Sequence, residues 1–278
     1  MKSYFFGLRD PVFDFRAIRP KGSPLKTAGG KAPGPEPLME CLSKMRDVLE
    51  RKDSGEQLRP IEAHDLVCLL SDAVLSGGIR RSSLISFFSM DDEEMLECKS
   101  GEWWKDNPQR ARANNSVVLL RHRIKKEEFD GLWKKIQSNG SGEPGIIFSN
   151  SSEVLGNPCF EISLKPFQMC NLTTINASNI ETQEDFNERA RVASMIGTIQ
   201  AGYTEFHYLR DVWRDTTEKE ALLGVSLTGI ASGNILKLDM HEAAEIVKKE
   251  NERVAKLIGI NKPRASRQLS PKGQVLSF

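Results

Sequence analysis

Residues 83–148, SLISFFSMDDEEMLECKSGEWWKDNPQRARANNSVVLLRHRIKKEEFDGLWKKIQSNGSGEPGIIF, decide the fold class. SLISFF (83–88), NSVVLL (115–120) and GIIF (145–148) are short apolar runs rich in β-branched and aromatic residues, the signature of buried strands. Between them, Asp91–Lys99 begins with acids and ends on Lys, matching the helix dipole, and KKEEFDGLWKKIQS (125–138) has helical spacing. Strands that alternate with helices predict an α/β architecture.

The same alternation extends in both directions. Pro37 opens a helix whose Leu38, Cys41, Leu42, Met45, Val48 and Leu49 share a face. A second helix follows Pro60 and is predicted to stop at Gly77-Gly78. Downstream, MCNLTTIN (169–176) and GVSLTGI (224–230) read as strands. A long helix is expected over about 183–209, interrupted by Gly197 and Gly202, and a last helix over Met240–Ile258. Residues 20–37 are half Gly or Pro, too dense for helix or central strand. They read as an ordered loop rather than a linker, because only about 19 residues precede them. Gly29 and Gly34 have P-loop spacing, but Pro35 and Glu36 stand where Lys and Ser/Thr must follow, so that reading fails.

The 278 residues carry 39 Lys+Arg against 38 Asp+Glu, a net charge of +1. That balance gives no electrostatic footprint for nucleic acid or an anionic membrane. RHRIKK (121–126) reads as a solvated helix start. No apolar run approaches the ~18 residues of a membrane span, and the N-terminus lacks signal-peptide character. The expectation is a soluble, cytoplasmic chain with no nucleic-acid or membrane partner.

Five cysteines, Cys41, Cys68, Cys98, Cys159 and Cys170, form no C-x-x-C pair and no zinc-like spacing with His, so no metal site is expected. Cys41 and Cys68 sit in apolar helical patterns and read as packing residues, and Cys98 has no evident role. Asn157-Pro158-Cys159-Phe160-Glu161 differs, placing an amide, a thiol and a carboxylate within five residues stiffened by Pro158. If extended, the chain would turn Asn157, Cys159 and Glu161 to one side. A neighbouring carboxylate raises a thiol pKa, which disfavours thiolate chemistry. A sulfur radical paired with a carboxylate that handles a hydroxyl proton suits the set better; the bland alternative is a stiff turn with a buried Cys.

NPCFEI (157–162), followed by Cys170 in CNLTTIN, resembles the catalytic region of ribonucleotide reductases. Further blocks are similar to the adenosylcobalamin-dependent, class II branch, in that family's order: DFRAIRPKGSPLKTAGGKAPGPEPL (14–38), GGIRRSSLISFFSMDDEEM (77–95), ANNSVV (113–118), GTIQAGYTEFHYL (197–209) and GVSLTGIA (224–231). The resemblance implies an α/β fold that is part of a ten-stranded barrel, with residues 1–278 as a single partial catalytic domain. The finger loop would span about 156–164 and the effector loop about 77–83. It implies that Cys159, as a thiyl radical, takes hydrogen from C3′ of the substrate ribose. Glu161 would accept the 3′-hydroxyl proton, and Asn157 would hold the ribose hydroxyls. Cys170 would be half of the reducing dithiol. Gly77, Gly78, Arg80, Arg81 and Ser82 would form the loop through which a deoxynucleotide effector selects the base. The implied cofactor is adenosylcobalamin. The substrate would be a ribonucleoside triphosphate or diphosphate, and an external dithiol would restore the enzyme.

The resemblance breaks at two places. The family's second redox cysteine lies upstream of the RPKG-type block, and no Cys precedes Cys41. Pro271-Lys272-Gly273-Gln274-Val275 keeps the Pro and Gly register of the family's phosphate loop without its hydroxyl donors. The expectation is a split or truncated reductase needing a complementary chain to close its barrel and inactive alone. A non-catalytic nucleotide-binding relict and a fragment of a class I large subunit are the alternatives.

Overall fold

The computed structural model describes the chain except for Thr27, Ala28, Ser54, Gly77, Gly78, Arg81, Glu161 and residues 262–265, 270–274 and 277–278. It folds as two compact units, Met1–Ser152 and Glu153–Phe278.

The first unit begins with a single helical turn, α1 (Lys2–Phe5), and then an ordered loop. In that loop Ala32 N–H donates to Ser23 O at 2.7 Å and Leu25 N–H to Gly30 O at 3.0 Å. The density of Gly and Pro therefore encodes a fixed turn, as expected. Helices α2 (Glu36–Glu50) and α3 (Pro60–Ala73) pair through Cys41, Met45, Leu49, Leu66 and Leu69. Pro60 opens α3, and the Glu62 carboxylate accepts from Arg59 N–H at 2.8 Å, closing its N-terminus. The helix ends at Ala73, earlier than the glycines suggested, because Leu75–Ser76 (β1) leaves to pair antiparallel with Ile79–Arg80 (β2). Gly77 and Gly78 themselves lie outside the described residues.

Next come β3 (Leu84–Ser89), α4 (Glu93–Glu97), α5 (Trp103–Asp106), a 3₁₀ turn (Pro108–Arg112), β4 (Ala113–Leu120), α6 (Lys126–Asn139) and β5 (Gly145–Ser149). The strands form a parallel sheet in the order β3-β4-β5. Phe88, Val117, Leu119 and Ile146 face Met95, Leu96 and Leu132 in one apolar core. Gly140, at φ 71°, ends α6 in the left-handed conformation that glycine adopts freely.

The second unit contains β6 (Leu172–Asn176), α7 (Gln183–Ala201), α8 (Asp211–Glu220), β7 (Leu223–Thr228), two 3₁₀ turns, α9 (Met240–Ile258), β8 (Ser266–Leu269) and β9 (Val275–Leu276). The sheet order is β6-β7-β8-β9, parallel except for the last pair. Thr182 caps α7, accepting from Asp185 N–H at 3.2 Å, and Asp239 caps α9. The helix expected to run to residue 209 stops at Gly202, and a separate helix, α8, follows. Gly197 is buried inside α7 where the helix crosses the sheet. A methyl there would overlap Leu223 and come 3.3 Å from Thr173 Cγ2. Ile175, Val225, Leu227, Phe186 and Ala190 form the core behind this sheet.

Candidate functional site

The 156–164 segment is a narrow loop closed at its base. Gly156 and Ser163 form an antiparallel bridge, and Leu164 N–H donates to Leu155 O at 2.9 Å. At its far end Phe160 N–H donates to Asn157 O at 2.8 Å, so Asn157-Pro158-Cys159-Phe160 is a β-turn with Pro in its second position. Pro supplies the fixed φ that the position needs, and Phe160 follows at φ 54°. Cys159 is thereby held exposed at the apex.

The extended reading of this segment is corrected: the turn reverses the chain, and Asn157 and Cys159 do not alternate along a strand. Asn157 is buried, and its Oδ1 accepts from Ile162 N–H at 3.0 Å while its own N–H donates to Ile162 O at 3.1 Å. Its side chain braces the loop, which leaves the Nδ2 donors for other work. Glu161 lies outside the described residues.

Cys170 sits two residues before β6, half-buried beside a small recess lined by Ile162, Leu164, Met169 and Leu222. The 156–164 loop lies over β7 at Gly224, where a Cβ would meet Leu172 Cδ1 at 3.0 Å and Ile162 Cδ1 at 3.3 Å. On the same side of the sheet, one rung along, Thr174 Oγ1 and Ser226 Oγ are hydrogen-bonded at 2.9 Å. Neither residue stood out in sequence, because a hydroxyl in a strand gains meaning only from the strand it pairs with.

Of the segment expected to bind an effector, Gly77, Gly78 and Arg81 lie outside the described residues, and Arg80 is placed by its backbone alone, opposite Leu75. Ser82 Oγ donates to Ser71 O at 2.8 Å, tying the end of this segment to α3. The altered phosphate-loop residues 271–274 also lie outside the described residues.

The first unit contains a second sulfur cluster. His64 Nδ1 lies 2.8 Å from Ser86 Oγ, and its Nε2 lies 3.6 Å from Cys68 Sγ. Burial holds the His64 imidazole down to about 4 and pushes the Cys68 thiol up to about 12. Cys68 is fully buried, so this is an inert packing thiol, as the helical pattern predicted. Cys41 and Cys98 are buried as well, which leaves Cys159 exposed and Cys170 half-buried.

An exposed cysteine thus sits on a braced turn carried over a parallel sheet. The sequence is similar to known proteins over most of its length. The chain is 28% identical over 256 residues to the probable adenosylcobalamin-dependent ribonucleoside-triphosphate reductase of Dictyostelium discoideum, covering 83% of this chain and 32% of that protein. The corresponding Euglena gracilis enzyme is 28% identical over 256 residues, covering 83% and 33%. The Lacticaseibacillus paracasei enzyme is 31% identical over 241 residues, covering 79% and 30%. Over about four fifths of its length the chain is thus similar to part of the adenosylcobalamin-dependent ribonucleoside-triphosphate reductases, and it spans about a third of the length of these relatives. No family model matches it. The alpha subunit of the Actinobacillus ureae class Id ribonucleotide reductase overlays 84% of this chain and 56% of its own at 14% identity, with a TM-score of 0.46. Among the described residues no group of His, Cys, Asp and Glu could hold a metal ion, and no helix is long and apolar enough to cross a membrane.

Proposed function

We propose that this chain provides the radical-bearing loop for reducing ribonucleotides to 2′-deoxyribonucleotides, as one part of a class II reductase working in the cytoplasm. The observation that carries the reading is the exposed Cys159 at the apex of a braced turn, with Cys170 leading into the strand beneath. A radical generated outside the polypeptide needs only access to the sulfur, and the exposed apex fits that need. Adenosylcobalamin, when bound, supplies that radical by homolysis of its cobalt–carbon bond.

Cys159, as a thiyl, takes the hydrogen from C3′ of the ribose and later returns it. Glu161 accepts the 3′-hydroxyl proton, a general-base role. Asn157 fixes the loop through Oδ1 and offers Nδ2 to the ribose hydroxyls. The 2′-hydroxyl leaves as water while a dithiol is oxidised to a disulfide. Cys170 is one of its sulfurs, and an external dithiol restores the pair. A complementary polypeptide would supply the other sulfur and complete the ten-stranded barrel. Residues 77–83 would take a deoxynucleotide effector, anchored through Ser82.

The test is reduction of a ribonucleoside triphosphate by the chain complemented with the remaining reductase segments, adenosylcobalamin and a dithiol. Cys159→Ala is expected to abolish reduction, and Cys170→Ala to allow at most one turnover. Equal rates for Cys159→Ala and the parent chain would refute the thiyl assignment.

A further inference from the structure

The helices of the second unit cover one face of its sheet, burying Ile175, Leu223, Val225 and Leu227. The other face carries the paired rungs Leu172–Gly224, Thr174–Ser226 and Asn176–Thr228. Parallel strands are rarely left with a face bare, so something is expected to cover these rungs. Packing apolar side chains against them would strand hydroxyl and amide groups at a cost, so the cover must itself be polar. The finger loop lies on this face at the Leu172–Gly224 rung. The Thr174–Ser226 rung is about 7 Å further along. The bond between the two hydroxyls uses one donor, leaving a donor and most of the lone pairs for a ligand. None of these six residues is charged.

We propose that the Thr174–Ser226 pair is a binding site for the nucleoside portion of the ribonucleotide, its sugar and base rather than its phosphates. The proposal rests on Cys159 as the locus of ribonucleotide chemistry. Small neutral hydroxyls can exchange hydrogen bonds with sugar and base groups, whereas phosphates call for cations or clustered N–H donors.

The test is calorimetric titration of the full chain with ATP, GTP, CTP and UTP in turn, and with inorganic tripolyphosphate. Thr174→Val with Ser226→Ala is expected to weaken the tightest ribonucleotide about tenfold, the order set by one or two neutral hydrogen bonds. Tripolyphosphate affinity should not change, and Thr174→Ser should bind as the parent does. Thermal melts check that the variants fold; if the double variant does not, Thr174→Ala and Ser226→Ala singly are each expected to lose about threefold. Undiminished ribonucleotide binding by the folded variants would overturn the assignment. So would an equal loss for tripolyphosphate, or no binding by the parent chain. Binding lost as expected in a chain that never supports Cys159-dependent reduction would sustain this site and refute the radical reading. Reduction with unaltered binding would do the reverse.

Discussion

The two parallel sheets share a backbone plan and differ on both faces. In the first unit, alternation turns Ile85, Phe87, Val118, Leu120 and Ile147 away from the helices, an apolar and half-buried surface. In the second unit the equivalent face bears Thr174, Ser226, Asn176 and Thr228. The backs differ as well. Behind β3–β5 the apolar core of Phe88, Val117 and Leu119 is flanked by a polar network. Asp65 and Arg110 are paired bidentately at 2.8 and 2.7 Å, Lys99 meets Glu143 at 2.7 Å, and His64 meets Ser86. Behind β6–β7 the core is mostly apolar and closed by the near-contact of Gly197 with Leu223. Strand pairing alone therefore does not assign a role to a sheet; the side chains that its pleat turns outward do.

The contrast predicts that the first unit responds to charge and the second to volume. The largest expected effect is Arg110→Ala. Both partners of the Asp65–Arg110 pair are largely buried, with side chains 13% and 14% exposed. Removing the cation strands a buried carboxylate and should cost about 3–5 kcal/mol in urea unfolding. Asp65→Leu with Arg110→Met should recover most of that loss, and an equally damaged double variant would show that packing, not charge, holds the site.

Acid should separate the units next. His64 is neutral in the folded chain, with its pKa lowered from 6.5 to about 4 chiefly by burial. The unfolded chain therefore binds the extra proton between those values, so stability is full above about 6.5 and falls as pH drops toward 4. The loss approaches about 3 kcal/mol, by the cost of each pKa unit. The Glu62 carboxyl lies at about 2 despite burial, held down by the Arg59 N–H and by the Arg59 and Lys52 side chains. Its own contribution is lost between 4.5 and about 2. Urea midpoints measured from pH 7 to 4 should lose most of their slope in His64→Gln; an unchanged slope would place the proton elsewhere.

The smallest effect belongs to the second unit. Gly197→Ala gains helix propensity of about 1 kcal/mol but forces Leu223 aside, at about 1–3 kcal/mol. A net loss of about 1 kcal/mol, independent of pH, is expected from thermal melts, and a stabilised variant would mean that the helix–sheet contact is loose.

Most of the elements were legible because their signals are local. The five-part strand–helix series over residues 83–148 was read within a few residues, and the last helix at its actual ends. Helix α8 was missed because DVWRDTTEKE has only Val212 and Trp213 to mark an apolar face. The stop at Gly77-Gly78 failed because a short antiparallel pairing takes the chain over after Ala73. Cys159 and Cys170 stood out by spacing and resemblance. What Asn157 does within the loop did not, because an amide near a turn can face either a ligand or its own backbone, and only the hydrogen bond to Ile162 N–H shows which.

By itself, the sequence determined the α/β alternation, the packing roles of Cys41 and Cys68 and the candidacy of Cys159, since periodicity, burial preference and motif spacing are properties of neighbours along the chain. The tertiary structure decided the rest. It folded the expected extended segment into a turn with the thiol at its apex. It also closed His64 around Cys68 and set Thr174 beside Ser226, 52 residues away, on the face that carries the 156–164 loop. Contacts between distant segments depend on strand register and helix docking, and no local pattern encodes which hydroxyl will lie opposite which.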